Sequence, residues 1–331
     1  MKLSMGIVGL PNVGKSTLFK IITKNEVNIA NYPFCTIDPN VGVVTVPDER
    51  LDRLSSMSKS AKKVPAVVEF YDIAGLVKGA NDGEGLGNKF LAHIRETNAI
   101  VQVLRCFPLG DILHVENSVD PIRDLEIINT ELALKDLETV SKRLEGANRD
   151  VKSGKKEAFK EVEILEKAKK LLQEGVSLQS LRNEPCILNL QLLTAKPQLY
   201  LLNGKSEDVG GSLKDKIKSL NADFIIIDLS SAENIPELVV AAYKILGLIS
   251  FFTTGEDETR AWTILKNTRA PQAAGAIHTD FEKKFIRADV INWQKLLECG
   301  SWSVAKQKGL MRTEGKEYIF EDGDVVEIKH G

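Results

Sequence analysis

A doubly wound α/β fold is predicted by three features of this 331-residue chain. A short apolar run, Met5 to Val8, leads into a glycine-bearing turn and then a helix-like stretch from Thr17 to Ile22. Further apolar runs at Val67–Phe70 and Ile100–Leu104 alternate with helical stretches to about residue 122, the βαβ rhythm of a parallel sheet covered on both faces. The rhythm resumes at Leu199–Leu202 and Phe224–Ile227, so what lies between interrupts a domain instead of following it.

The interruption opens at Asp120-Pro121. Leu125, Ile128, Leu132, Leu137, Val140 and Leu144 recur at three to five residues amid Glu and Lys, and Val162, Leu165, Ala168, Leu171 and Leu172 repeat the pattern. Two amphipathic helices are expected, paired as an antiparallel, coiled-coil-like hairpin. Its lysine-rich tip, Arg149 to Lys160, is either an RNA contact or a solvated turn. Leu238 to Phe252, broken by Lys244, is too short for a membrane span and reads as a core helix leading to a strand. Past Gly255 come strand-like runs at Ala261–Leu265, Phe285–Ile291 and Tyr318–Phe320, the last expected to meet Val325–Ile328 across Glu321-Asp-Gly-Asp. These suggest a small β-grasp module. Arg260, Lys266, Arg269, His278, Lys283, Lys284 and Arg287 could line a phosphate-facing surface there, diluted by Asp280, Glu282 and Asp289.

The turn after the first strand carries chemistry. Gly9-Leu-Pro-Asn-Val-Gly-Lys-Ser16 is a complete G-x-x-x-x-G-K-[ST] loop in the strand–turn–helix context that the motif requires. Its glycines let backbone N–H groups surround a β-phosphate, Lys15 neutralises β/γ oxygens, and the Ser16 hydroxyl can reach Mg²⁺. Asn12, Val13, Gly14, Lys15, Ser16 and Thr17 are therefore candidate ligands of a nucleoside triphosphate. Ala66 to Gly75 is a buried-type strand ending in Asp72-x-x-Gly75, a carboxylate for Mg²⁺ and a glycine N–H for the γ-phosphate. Thr36, in the proline-broken loop from Tyr32 to Asn40, could complete the Mg²⁺ shell while γ-phosphate is present. Leu76 stands where many switch NTPases place a water-orienting glutamine, so help must come from elsewhere. Asn12 could ligate a bridging monovalent cation such as K⁺, or simply cap the turn. His114 is the histidine to test as a mobile catalytic group, against the alternative of an inert loop residue.

Gly9 to Thr17, Tyr32 to Asn40, Asp72-Ile-Ala-Gly-Leu-Val-Lys-Gly-Ala80, Ser118 to Asp124, Ala270 to Gly275 and Ile277 to Glu282 together resemble the YchF family of Obg-related, ATP-preferring NTPases. The resemblance covers nearly the whole chain except about residues 146–190 and 203–235. It implies a P-loop G domain over 1–122 plus 193–248, a helical insertion over 123–192, a TGS domain over 249–331, and association with the ribosome, chiefly its large subunit. In the base-binding segments the chain departs from pattern. Asn203 matches the asparagine that opens the family's Asn-x-x-Glu, but Ser206 stands where the glutamate belongs and Glu207 comes one residue late. Asn203 and Gly204, with Ser230, Ser231 and Ala232 of a second loop, are the candidate base contacts, and ATP is expected to bind at least as well as GTP.

Composition bounds the rest. With 43% apolar and 27% charged residues the chain suits two or three soluble domains, and a net charge of −2 provides no global field for nucleic acid, so no DNA specificity is expected. Cys35, Cys106, Cys186 and Cys299 form no C-x-x-C pair, which with the absence of a signal-peptide pattern points to free thiols in the cytoplasm. Three readings compete: a ribosome-associated NTPase switch, a P-loop kinase lacking any evident acceptor pocket, and a scaffold that nucleotide merely staples.

Overall fold

Strands that are apolar on both faces build the sheet that carries the site. A computed structural model describes residues 4–25, 40–72, 93–108 and 118–331. Strands β1 (Ser4–Val8), β5 (Ala99–Arg105) and β6 (Gln198–Asn203) are buried along their whole length, as expected of parallel strands with layers on either side. With β2 (Val41–Thr45), β4 (Val67–Asp72) and β7 (Asp223–Ile227) they form a sheet ordered β2-β4-β1-β5-β6-β7. β1 pairs in parallel with both β4 and β5, and the parallel pairing continues through β6 to β7. The chain thus reaches β4 on one side of β1 and β5 on the other. The carboxyl ends of β1 and β5 are therefore the topological switch point, where sheets of this kind hold ligands.

Among the described residues, one compact unit comprises 4–25, 40–42 and those within 69–238, and a second comprises 43–68 and 239–331. In the first, helix α1 (Lys15–Lys24) follows the β1 turn. A 32-residue helix, α3 (Pro121–Lys152), starts where Asp120 accepts from Ile122 N and Arg123 N, both at 3.1 Å, with Pro121 in the first turn. Leu125, Ile128 and Leu132 are its buried face: Ile128 and Leu132 join Val8 and Ile100, while Leu125 joins Leu104, Tyr200 and Leu202. Farther along, Val140 and Ala147 pack with Leu165, Ala168 and Leu172 of α4 (Glu157–Gln173). Leu137, Leu144, Val162 and Leu171, which share the predicted stripe, are only partly buried at that seam. Arg143 forks onto Glu161 across it, at 2.7 and 2.6 Å. Buried Asp136 accepts from Leu193 N (2.9 Å), Thr194 N (2.7 Å) and Thr194 Oγ1 (2.7 Å), tying α3 to the segment that re-enters the sheet. The short helices α5 (Pro185–Leu190) and α6 (Gly211–Ser219) also belong to this unit, and α7 (Pro236–Ile245) begins at its end.

The second unit holds a sheet ordered β11-β10-β12-β8-β9-β3, from β3 (Lys62–Val64), β8 (Leu248–Thr254), β9 (Glu258–Leu265), β10 (Phe285–Asn292), β11 (Arg312–Glu314) and β12 (Asp324–His330). Phe251, Ala273, Ala274, Val290 and Phe320 form its core, with α8 (Ala270–Ile277) supplying the alanines. Helix α2 (Glu49–Ser58) and strand β3, which the sequence pattern did not reveal, belong to this unit.

One expectation fails here. Tyr318–Phe320 does not pair with Val325–Ile328, because β12 already has β10 on one side and β8 on the other. Instead Ile319 bridges Arg269, Phe320 N donates to Thr268 O at 3.0 Å, and Asp324 accepts from Glu321 N (2.9 Å) and Tyr318 Oη (2.8 Å). The glycine of that turn, Gly323, adopts the left-handed φ of +93°. No described helix is long and apolar enough to cross a membrane.

Candidate nucleotide site

The loop after β1 has little room for anything but its own residues. A Cβ on Gly9 would lie 2.7 Å from Val103 O and 2.8 Å from Val13 Cγ2, and one on Gly14, at φ +108°, would lie 2.3 Å from Asn203 Nδ2. Asn12 takes the left-handed conformation at φ +62°, which asparagine tolerates better than most residues and which gives its identity a backbone reason. Helix α1 begins at Gly14 with no side-chain cap and no acidic residue in its first turn. Its first N–H groups and the positive end of its dipole therefore face the loop, an arrangement suited to phosphate.

Lys15 Nζ donates to Leu10 O at 2.5 Å. Burial pulls its ammonium down to about 8, and the Asp72 carboxylate opposes that shift. Asp72 ends β4 and stands in register with Ile7, beside the loop. Ser16 and Asp72 are hard oxygen donors, and no cluster of three His, Cys, Asp or Glu that could hold a metal occurs among the described residues. Such a sparse oxygen set fits Mg²⁺, which keeps its waters and takes most remaining ligands from phosphate.

A cavity of about 740 Å³ runs from this loop across the ends of β5, β6 and β7. Asn12, Gly14, Lys15, Ser16 and Thr17 line one end, and Asn203, Gly204, Lys205, Glu207, Asp228 and Ser230 line the other. Asn203, buried, joins the two ends: its Nδ2 donates to Val13 O at 2.9 Å and its Oδ1 accepts from Leu229 N at 3.1 Å. Gly204 lies against the β5 exit, where a Cβ would meet Phe107 N at 3.1 Å and Cys106 Cβ at 3.2 Å. Val13 serves through its carbonyl from behind the loop, and Ser231 and Ala232 hold the turn by donating to Asp228 O at 3.3 and 3.1 Å without lining the cavity. Thr36, Gly75 and His114 lie outside the described residues.

Lys205, Asp208, Asp228 and Leu229 line the cavity from within the predicted base loops without being candidates themselves, and Arg105, Phe107 and Pro108 line it from outside every motif. Arg105 is fully buried, donates to Pro108 O at 3.2 Å, and carries its guanidinium 4.2 Å from the centre of the Phe107 ring. Their position at the carboxyl end of the strand beside β1 is the signal that could have found them.

A doubly wound sheet with a glycine loop, an uncapped helix start and a lysine at its switch point defines a P-loop nucleoside triphosphatase. The family model described as "50S ribosome-binding GTPase" matches residues 4–142, and YchF-GTPase_C, described as a protein of unknown function (DUF933), matches 248–331. The chain is 44% identical to the "Ribosome-binding ATPase YchF" of Bacillus subtilis over 99% of each. It is 42% identical to "Obg-like ATPase 1" of Oryza sativa, over 99% of this chain and 92% of the relative. The solved YchF GTPase of Schizosaccharomyces pombe superposes with a TM-score of 0.88 at 41% identity, covering 99% of this chain and 98% of that one. The chain belongs to the YchF family of P-loop NTPases.

Proposed function

We propose that this chain is a ribosome-associated, Mg²⁺-dependent NTPase that prefers ATP, hydrolyses it slowly, and acts as a cytoplasmic regulatory switch of translation or stress responses. The observation that carries the reading is the Asn203 clasp, which fixes one base-side loop to the phosphate loop within a single cavity. Lys15 and the first amides of α1 bind the β/γ oxygens, and Ser16, Asp72 and Thr36 hold Mg²⁺ directly or through water. Held there, the ion would supply positive charge against that of the phosphate oxygens. Gly75 and Thr36 sense the γ-phosphate, Asn12 ligates K⁺, and His114 positions water; Asn203, Gly204 and Ser230 surround the base, with Ser231 and Ala232 holding the Ser230 loop in place.

The domain plan proposed is a G domain over 1–122 plus 193–248, a coiled-coil insertion over 123–192 and a TGS-like module over 249–331. Relatives named ribosome-binding ATPases support the ribosome as partner, and the description of the family model over residues 4–142, "50S ribosome-binding GTPase", favours its large subunit. The helical arm and the basic residues of the C-terminal module are the surfaces offered to it. Phosphate release from ATP and GTP, measured with and without ribosomes in K⁺ and in Na⁺, tests the whole reading. Turnover is expected to favour ATP, to rise severalfold with K⁺ over Na⁺, and to change when ribosomes are added; no turnover under any condition leaves only a nucleotide-stapled scaffold.

A further inference from the structure

Three carboxylates stand at the base end of the cavity, and the hydrogen bonds they already make tell them apart. Asp208 Oδ2 accepts from Lys205 N at 2.9 Å, closing the one-turn helix Ser206–Asp208. Glu207 projects from that same turn as an exposed side chain. Asp228 follows β7, and its Oδ1 accepts twice from Ser230, from the amide at 3.0 Å and from Oγ at 2.5 Å. These bonds hold its carboxyl below the ordinary range, with the neighbouring Ser231 hydroxyl and then the Lys205 charge adding to the effect. Ser231 Oγ donates its one proton to the Asp228 carbonyl at 3.3 Å, which leaves Oδ2 without a hydrogen bond among the described residues.

We infer that Asp228 reads the base, and that one free carboxylate oxygen selects a purine carrying a 6-amine over one carrying paired N1–H and 2-amine donors. The inference rests on the reading of this cavity as a purine triphosphate site. A carboxylate oxygen has two lone pairs in its plane, and Ser230 fills both on Oδ1. Guanine presents two donors side by side and needs both oxygens of one carboxylate. Adenine presents a single amine, which Oδ2 alone satisfies. The loop is placed for this by Asn203, whose Oδ1 holds Leu229 N, the residue between Asp228 and Ser230.

Calorimetric titration with ATP, GTP and purine riboside 5′-triphosphate, which lacks the amine, tests the assignment. Wild type is expected to bind ATP about tenfold more tightly than the riboside analogue, the size of one hydrogen bond to a charged group. Asp228→Ala should shrink that ratio below about twofold while leaving affinity for the analogue unchanged, which also reports that the variant is folded. Ser230→Ala frees a lone pair on Oδ1 and should raise GTP affinity relative to ATP. An Asp228→Ala protein that binds all three yet keeps the amine preference overturns the inference and leaves the nucleotide site standing. Failure of every triphosphate to bind wild type overturns the site reading, and the inference with it.

Discussion

At the phosphate end of the cavity main-chain geometry sets the identity of the residues; at the base end hydrogen bonds between side chains and loops do. Gly9 and Gly14 are fixed because a Cβ at either would collide with neighbours below 3 Å, and Asn12 by its left-handed backbone. Such constraints tolerate no drift in spacing, since one inserted residue would turn the α1 amides away. At the base end the buried clasp of Asn203 is equally fixed, but Lys205 to Asp208 is an exposed single turn. A residue can be gained there without disturbing the sheet. With the cavity read as the proposed purine triphosphate site, the difference predicts that nucleotide grip and base choice are separable, and that can be broken by experiment.

The largest effect should come from Lys15→Ala. Losing the ammonium removes charge-assisted bonds worth about 3 kcal/mol or more, so affinity should fall at least about 100-fold. If grip and choice are separate, the loss is equal for ATP, GTP and inorganic tripolyphosphate in calorimetric titrations. A loss confined to one purine would break the comparison.

This asymmetry also explains what could be read in advance. The strand–loop–helix at residues 5–22, the start of α3 at Asp120-Pro121 and the return of the sheet at Leu199 and Phe224 are local signals, carried by apolar period and capping chemistry, and the fold obeys them. Arg105 and Phe107 were not legible, because they join the site through strand order and not through any motif. Strand β3 was hidden by its two exposed lysines, Lys62 and Lys63, and makes sense only once β9 lies beside it. The predicted hairpin after Tyr318 failed for the same kind of reason. Its residues suit a strand, but both edges of β12 were already taken by partners distant in sequence.

A second way to sharpen the comparison is pH. Burial sets Lys15 near 8, and a bound polyphosphate must raise it, so the complex holds more protons than the free protein above that value. Below about pH 8 the ammonium is already present and affinity should be flat in pH as far as Lys15 is concerned. Above it, Kd should rise by up to about tenfold per pH unit, because each binding event must first protonate the lysine. The triphosphate itself is fully ionised there and adds no slope of its own. Proton uptake, read as a dependence of the binding heat on buffer ionisation at pH 8.5 to 9, should be the same for ATP and GTP and vanish in Lys15→Ala.

The smallest effect belongs to Asp208→Ala. This substitution removes the acceptor of Lys205 N at an exposed turn, a cap worth about 1 kcal/mol or less, so global stability should scarcely change. Because Lys205 and Glu207 line the cavity, loosening their turn should alter purine affinity by a few-fold while leaving tripolyphosphate binding untouched. That pattern is the reverse of the one expected for Lys15→Ala. Should tripolyphosphate affinity fall in step with ATP affinity, the turn must be coupled to the phosphate loop through Asn203, and the two ends of the cavity would have to be treated as one cooperative unit.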